Sequence, residues 1–568
     1  MPELAAIDPT VALLATAVRD ALERLGLPSQ DPALERPKDP DHGEWATTIA
    51  LRVAKVAGRP PRELADAIAA ELTELPEVAA VEVAGPGFVN FRLSDVAHAA
   101  LVHRILEQGT SYGRLPAGTA SHVNVEFVSA NPTGPLHLGA GRWAATGDAI
   151  AGLLEAVGHR VTREYYVNDV GEQIRRFGAS IVRTDRGLPL EEDDYHGDYV
   201  PGLAAELRER HGAALLDGDG DGGTKAEVGD VADAVGAAAV ARMRERIEGQ
   251  LADLGVTFDV WTNEGRLHEE GAIEATIAQL RAAGHTEERD GALFLRTTEH
   301  GDDKDRVLVR SDGRPTYFAA DCAYLRDKRS RADHCIYLLG ADHHGYVARL
   351  KAAAACLGID PDSVEIRIGQ LVNLLRDGEA VRLSKRSGEM ITLDEALAEM
   401  GADVARYHFL RQNLDTTIDL DLAVVASQSM ENPVYYVQYA HARVASLLRQ
   451  AVERGFDPGD AADADLTLLT HPAERVLLRT MSSLPHVIAD AAEARATQRL
   501  TRYAEELAAT FHRFYAECRV LDDDPEADEE TRARLLASSR ARYWLVTAAR
   551  QVLANALGVL RVSAPDRM

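Results

Sequence analysis

Apolar residues recur at helical spacing in Leu4, Ile7, Val11, Leu14, Val18, Leu22 and Leu25, which predicts a helix over residues 4–27, followed by a Pro- and Asp-rich loop up to Gly43. Helical patterns follow at 44–58 and 61–74, with Pro60-Pro61 as the break. Alternation over Val78–Ala84 and the run Phe88–Leu93, separated by Gly85-Pro-Gly87, predict two strands, so the first segment reads as a compact α+β domain over 1–108. The run His122–Val128 has the continuous apolar character of a buried parallel strand. A loop from Ser129 to Pro135 and a helix from about His137 to Val157 complete a strand, turn and helix in the order of a nucleotide-binding α/β unit. Further β/α alternation is expected at Arg306–Val309, Cys335–Leu339, Tyr346–Leu357 and Val364–Ile368, within a second domain over 109–393. An insertion over about 187–303 reads as helical and strongly charged. From about Asp394 the pattern is almost wholly helical, giving a stem over 394–440 and an all-α bundle over 441–568, with loops at 455–466 and 522–529.

The chain has 568 residues, more than one hydrophobic core normally covers, with 46% hydrophobic and 27% charged residues, ordinary values for a globular protein. A formal net charge of -28 argues against a broad nucleic-acid surface, since phosphate affinity comes from Lys and Arg. A sum does not forbid a local basic groove, so any RNA contact is expected to be confined and salt-sensitive. Cys322, Cys335, Cys356 and Cys518 are too few and too scattered for a disulfide scaffold, and no Cys-x-x-Cys pair exists for zinc. They read as small buried hydrophobes of a reducing cytosol. The amino terminus lacks a signal-peptide pattern and no stretch has the length and apolarity of a membrane span, so a cytoplasmic location is expected. The Asp/Gly repeat after Leu216 resembles a calcium loop only superficially, because the glutamate at the twelfth position is missing; it reads as a solvated insertion.

Four segments carry candidate chemistry. His137 follows Ser129-Ala-Asn-Pro-Thr-Gly-Pro135 where a Gly-Pro turn hands the chain to a helix, so its ring and the free N–H groups of the first turn suit phosphate oxygens. Gly139 permits close approach of a nucleotide. A lone His-x-Gly reads equally well as a capping or core histidine; the tight loop before it, with Asn131 and Pro135, favours a site. Lys385, within Arg382-Leu-Ser-Lys-Arg-Ser-Gly388, sits on a short loop whose cations and Ser384 suit a leaving pyrophosphate. Tyr317 and Asp321 are one helical turn apart, and a carboxylate beside a phenol suits a planar guanidinium, although an Asp cap beside a packed Tyr remains open. Gly340-Ala-Asp-His-His-Gly345 follows an apolar strand, which places Asp342, His343 and His344 where open α/β sheets bind ligands. Paired histidines also suggest a metal, but no third ligand stands at suitable spacing, and nucleotide contacts are the preferred reading.

The segments Ala84–Phe91, Val125–His137, Tyr166–Ile174, Leu254–Trp261, Gly340–Tyr346, Glu431–Arg443 and Ala564–Met568 give the chain, over essentially its full length, a sequence that resembles the bacterial arginyl-tRNA synthetases, of class I among aminoacyl-tRNA synthetases. The resemblance implies a multidomain α/β protein: a Rossmann-like, HUP-type parallel-sheet catalytic domain, an amino-terminal α+β domain contacting the outer corner of tRNA, and a carboxy-terminal all-α anticodon-binding bundle. It implies ATP with Mg2+, L-arginine and tRNA(Arg) as substrates, no zinc, and a monomer. Carried residue by residue, Glu126 and Asn131 would face the amino and carboxylate end of arginine, and Tyr317 and Asp321 its guanidinium. Pro135, His137, Gly139, Gly340, Asp342, His343, His344, Ser384 and Lys385 would hold ATP, with His137, Lys385 and Arg382 acting on the phosphates. Tyr435, Tyr439, Arg443 and Tyr543 are the candidate tRNA contacts, through stacking on splayed bases. Two departures stand out: the His-x-Gly-His pattern ends in Ala140, and the lysine loop begins with Arg382 and Leu383. Arg142 or the helix amino terminus is expected to replace the lost histidine contact. Two rival readings are a class I synthetase for another amino acid and a catalytically silent RNA-binding relative; Asp321 with Tyr317 opposes the first, His137 and Lys385 the second.

Overall fold

The computed structural model describes all residues except 1–7, 38, 73–74, 219–224, 344, 377–378, 381–390, 426, 428 and 523–525. The chain forms two compact units, one from Met1–Pro116, Ala156–Gly158 and Gln428–Met568, the other from Ala117–Glu155 and His159–Ser427.

The first unit joins the two ends of the chain. Its amino-terminal part opens with the helix Pro9–Arg24, capped by the Asp8 carboxylate, which accepts from the Thr10 N–H. The antiparallel sheet is built from β1 (Trp45–Thr47), β2 (Val78–Ala84) and β3 (Phe88–Leu93) in the order β1-β3-β2. The expected helix over 44–58 is therefore corrected: Trp45 pairs with Phe91, and the helix begins only at Ile49, whose N–H is taken by the Thr47 hydroxyl. Pairing with β3 and burial of Trp45 outweigh the local helical pattern. The carboxy-terminal helices are Pro433–Glu453, Pro472–Ser482, Leu484–Ala494, Thr497–Glu517 and Glu529–Val559. They meet the amino-terminal part through polar contacts that are largely buried. Asn555 donates to the Gly109 and Tyr112 carbonyls, Tyr112 to Met481, Arg36 to Ser482, and His486 pairs with Asp8 at 3.1 Å.

The second unit is organised by a parallel sheet of β4 (His122–Glu126), β5 (Arg160–Val167), β6 (Val260–Asn263), β10 (His334–Gly340) and β11 (Val364–Gly369), in the order β11-β10-β4-β5-β6. Non-sequential neighbours with helical crossovers make this a doubly wound α/β arrangement. The helix Leu138–Ala156 follows β4 as its sequence pattern predicts. Three strand expectations are revised. β4 ends at Glu126, two residues early, because Val128 and Ser129 take positive φ values of 69° and 40°. The edge strand β6 lies inside the segment expected to be helical, held there by stacking of Trp261 on Tyr165 at 4.4 Å. Arg306–Val309 (β9) does not join the parallel sheet; it pairs antiparallel with β8 (Ala292–Leu295), which pairs with β7 (Thr286–Arg289). A small third sheet unites β12 (Val372–Arg376), β13 (Glu379–Ala380) and β14 (Ile418–Asp421), the last a strand in the region expected to be almost wholly helical.

Within this unit the helices Glu172–Asp185 and Val228–Asp253 pack almost backbone to backbone: a Cβ on Gly178 would lie 2.0 Å from the Ala232 carbonyl oxygen. A methyl there forces the helices apart, so Gly178→Ala is expected to cost about 1–3 kcal/mol. Urea unfolding of the variant checks this, and a midpoint equal to the wild type would contradict the packing.

Candidate functional site

The loop after β4 is fixed by contacts that its own sequence supplies. Two non-glycine residues in the left-handed region, Val128 and Ser129, cost about 1–3 kcal/mol each and persist only where surroundings impose them. Here the Ser129 hydroxyl donates to Glu126 Oε1 at 3.0 Å and accepts the Tyr166 N–H at 3.1 Å, so the turn is tied to both β4 and β5. The Asn131 amide donates to Gln173, the Tyr165 hydroxyl to the Ala130 carbonyl, and Tyr199 to the Thr133 carbonyl. Leu136 N–H, just past Pro135, donates to Gln250 at 2.9 Å.

His137 caps the helix that follows. Its Nδ1 accepts the Ala140 N–H at 3.2 Å, which assigns the ring proton to Nε2 and leaves Nε2 as a donor. Gly139 is what allows this, since a Cβ there would lie 2.9 Å from the His137 ring. The same turn receives the end of the lysine loop. Leu138 donates to the Ile391 carbonyl, Leu393 to the Leu136 carbonyl at 2.8 Å, and His137 bridges to Thr392. Thr392 and Glu395 then form a capping box that starts the helix Leu393–Met400. Arg382, Ser384 and Lys385 themselves lie outside the described residues, as do His344 and the Asp342 side chain. Gly340 closes β10 opposite Gly369 of β11, and the His343 ring stands 5.9 Å from Tyr346.

Three carboxylates, Glu126, Glu264 and Asp321, act on one another around the carboxyl ends of β4 and β6, with Lys328 and Arg349 as nearby cations. Glu126 pairs with Lys328, which is fully buried, at 2.7 Å; the same ammonium sits 3.7 Å from the centre of the Tyr337 ring. Asp321 lies on the helix Tyr317–Arg331 and accepts from the Tyr346 hydroxyl. Burial pushes its carboxyl up to about 7, against that hydrogen bond and the Arg349 charge and with help from the neighbouring Glu264 and Glu126 charges. Glu264, only 4% exposed, is also raised, by burial first and by Asp169, against the Tyr166 hydroxyl and His268. Raised carboxyls held together this way are a site for a cation.

The residues expected here are brought together only in part. Glu126 and Asp321 share the electrostatic site, but the phenol bonded to Asp321 is Tyr346; Tyr317, at the helix start, is 58% exposed. Glu264, Tyr166 and Tyr346 were missed by sequence reasoning. Glu264 follows β6, the strand that the sequence pattern hid, whereas Tyr346 ends the quoted Gly340–Tyr346 segment and was the accessible signal. The expectation that Arg142 replaces the missing histidine contact is overturned. Its guanidinium is fully buried and donates to the carbonyls of Gln370, Leu371, Asn413, Leu414 and Thr416. Burial among neutral acceptors lowers its pKa to about 10. Arg142 clamps together the segments that lead into β12 and β14.

In the first unit, Tyr435 and Tyr439 stack within 7° of parallel at 6.4 Å, and the Arg443 guanidinium lies 5.4 Å from the Tyr439 ring and 4.5 Å from Tyr515. Tyr439, Arg443, Arg449, Tyr515 and Arg567 line a cleft of about 410 Å³. Tyr543 is not among its lining residues; its ring packs on Phe456 at 5.8 Å.

Comparison with known proteins agrees along the whole chain. The family described as tRNA synthetases class I (R), catalytic domain, matches residues 101–194 and 230–444; arginyl tRNA synthetase N terminal domain matches 12–93; and DALR anticodon binding domain matches 437–568. A protein of Campylobacter jejuni described as an arginyl-tRNA synthetase is 32% identical, with 84% of this chain and 100% of that chain covered at a TM-score of 0.74. The Thermus thermophilus arginyl-tRNA synthetase shares the fold at 22% identity, 98% and 100% coverage and a TM-score of 0.74. That of Plasmodium falciparum does so at 14% identity, 99% and 100% coverage and 0.72. With strand-end carboxylates, a capped His-x-Gly turn and all three domain families in order, the chain belongs to the arginyl-tRNA synthetases, class I ligases that charge tRNA(Arg) with arginine.

Proposed function

We propose that L-arginine binds with its guanidinium against Asp321 and Glu264 and its amino end toward Glu126 and Asn131, and that ATP binds along the His137 turn and the Gly340–His344 segment. The observation that carries this reading is the set of three carboxylates, Glu126, Glu264 and Asp321, with Lys328 as the cation bonded to one of them. A guanidinium supplies a planar fork of donors and the missing charge. Arginine's carboxylate then attacks the α-phosphorus of ATP, which enters as its magnesium complex, and pyrophosphate leaves in line. His137 Nε2, a donor by virtue of its Nδ1 cap, serves the phosphate oxygens, while Arg382, Ser384 and Lys385 neutralise the leaving pyrophosphate. The 2'-hydroxyl of the terminal adenosine then attacks the activated carbonyl and releases AMP. Acid–base catalysis is secondary, because the mixed anhydride is already activated and positioning supplies most of the rate.

Tyr435, Tyr439 and Arg443 act on the anticodon side of tRNA, where Arg443, Arg449 and Arg567 outnumber Asp566 in the cleft lining of an acidic protein. Tyr543, whose ring packs on Phe456, is a further candidate contact for tRNA. The enzyme acts as a cytoplasmic monomer, and adenylate forms only with tRNA bound. No helix among the described residues is long and apolar enough to cross a membrane.

Asp321→Ala removes one of the two carboxylates that face the guanidinium, a loss of about 2–5 kcal/mol, so arginine-dependent pyrophosphate exchange in the presence of tRNA should fall by about 30-fold or more with tRNA affinity unchanged. Unchanged exchange would sink the pocket assignment. The pKa of Asp321 also fixes a sign. Its folded-state value lies above the ordinary 3.8, so the unfolded chain holds fewer protons between about pH 4 and 7, and this group costs the substrate-free fold stability as pH rises through that window. Asp321→Asn should therefore stabilise the arginine-free enzyme at pH 8, by at most about 4 kcal/mol before solvent screening, with the gain vanishing toward pH 4. Urea unfolding at both pH values reads this directly, and a gain independent of pH contradicts it. For the tRNA surface, Tyr439→Ala removes a stacking platform worth about 1–3 kcal/mol per base. The KM for tRNA should rise by about 5- to 150-fold with kcat little changed; an unaltered KM argues that this cleft does not meet RNA.

A further inference from the structure

Away from the strand ends, three metal-ligating side chains converge from segments distant in sequence. His285 immediately precedes β7, His300 ends the short turn Thr297–His300 between β8 and β9, and Cys356 ends the helix Tyr346–Cys356. One ligand atom from each lies within 4.8 Å of the others. Against the expectation of no zinc, we propose that His285, His300 and Cys356 bind a soft divalent cation of the zinc class, which ties the β7–β9 sheet to that helix, with water in the fourth position.

Geometry, unmet hydrogen bonding and charge support the site independently. Tetrahedral zinc with bonds of about 2.0–2.3 Å to nitrogen and sulfur sets its ligand atoms about 3.3–3.7 Å apart, so closure requires movement of about 1 Å. His300 is exposed and rotates at little cost, which also gives the ion a way in. His285 Nδ1 is buried without a hydrogen-bond partner, a state that costs free energy and that coordination at that nitrogen would relieve. Glu299, Asp305 and Arg296 are the charged groups that act on Cys356. Arg296 is itself paired with Glu299 at 2.9 Å, so the surroundings do not repel a cation. Binding replaces the S–H bond by an S–metal bond and releases the thiol proton to water; no oxidant is involved. Two histidines with one thiolate favour zinc or cobalt over magnesium or calcium, which take oxygen ligands. Cys356 lies ten residues along the helix from Tyr346, about 15 Å away, so the ion is a cross-link and not a participant in adenylate chemistry.

The test uses the full chain after chelator treatment, titrated with Co2+ while thiolate-to-cobalt charge-transfer and tetrahedral d–d absorption are followed, then competed with Zn2+. The expected result is one Co2+ per chain with a thiolate band, displacement by Zn2+, and a higher Tm with Zn2+. Cys356→Ser should abolish the band, and His300→Ala, an exposed substitution that leaves the core intact, should weaken binding by at least about tenfold. Absence of a thiolate band in the wild type overturns the proposal, as does a band that survives Cys356→Ser or an affinity untouched by His300→Ala.

Discussion

Carboxylates held out of water must be neutralised by protons, by fixed cations or by a ligand, and the catalytic unit is arranged so that its own cations do not suffice. Lys328 is buried to serve Glu126, and the Asp321 and Glu264 carboxyls are left raised at the carboxyl ends of the sheet. A fold that merely needed stability would have replaced these groups with apolar ones, since buried charge is expensive without a partner. On the proposed reading, the cost is sustained because a cationic substrate completes the site. The helix Tyr317–Arg331 spans the arrangement, with Asp321 near its start and Lys328 near its end.

The phosphate side of the site rests on a different constraint, the bringing together of two loops that are far apart in sequence. The strained turn at Val128 and Ser129 sends the chain out of β4, the His137 ring caps the next helix, and Ile391–Leu393 lies against Leu136–Leu138. The last link places Ile391, just past the lysine segment in sequence, at the His-x-Gly turn. Arg142 secures the neighbouring segments by donating to five backbone carbonyls, of which those of Gln370 and Thr416 join the ones that backbone N–H groups already reach. Asp148, buried between Arg163 and Arg406 at 2.8 and 2.6 Å, ties the Leu138–Ala156 helix to β5 and to the helix Ala402–Leu410 by the same logic of paired buried charge.

Much of this organisation was legible because long periodic segments report themselves. The helix after His137, the hairpin of β2 and β3, and the carboxy-terminal helices follow their apolar spacing closely. Short strands did not: β1 and β6 have three and four residues and exist because β3 and β5 receive them, a tertiary fact absent from local pattern. The site was half legible for a related reason. Helical spacing correctly put Tyr317 and Asp321 on one helix, yet Asp321 bonds to Tyr346, from another helix, and Glu264 arrives from a strand that the pattern concealed. Arg142 misled because a cation near a phosphate turn looks like a ligand until its acceptors are known. His285, His300 and Cys356 escaped notice because metal motifs are recognised by spacing, and theirs is set by folding alone.

The charge requirement of the pocket is tested most directly with L-citrulline, which keeps the shape of arginine and replaces the guanidinium by a neutral urea. In tRNA-dependent pyrophosphate exchange at pH 8, where Asp321 is ionised, arginine should be preferred over citrulline by at least about a hundredfold in kcat/KM. Comparable activation of the two would mean that shape and not the unneutralised carboxylates selects the substrate, and would contradict the account.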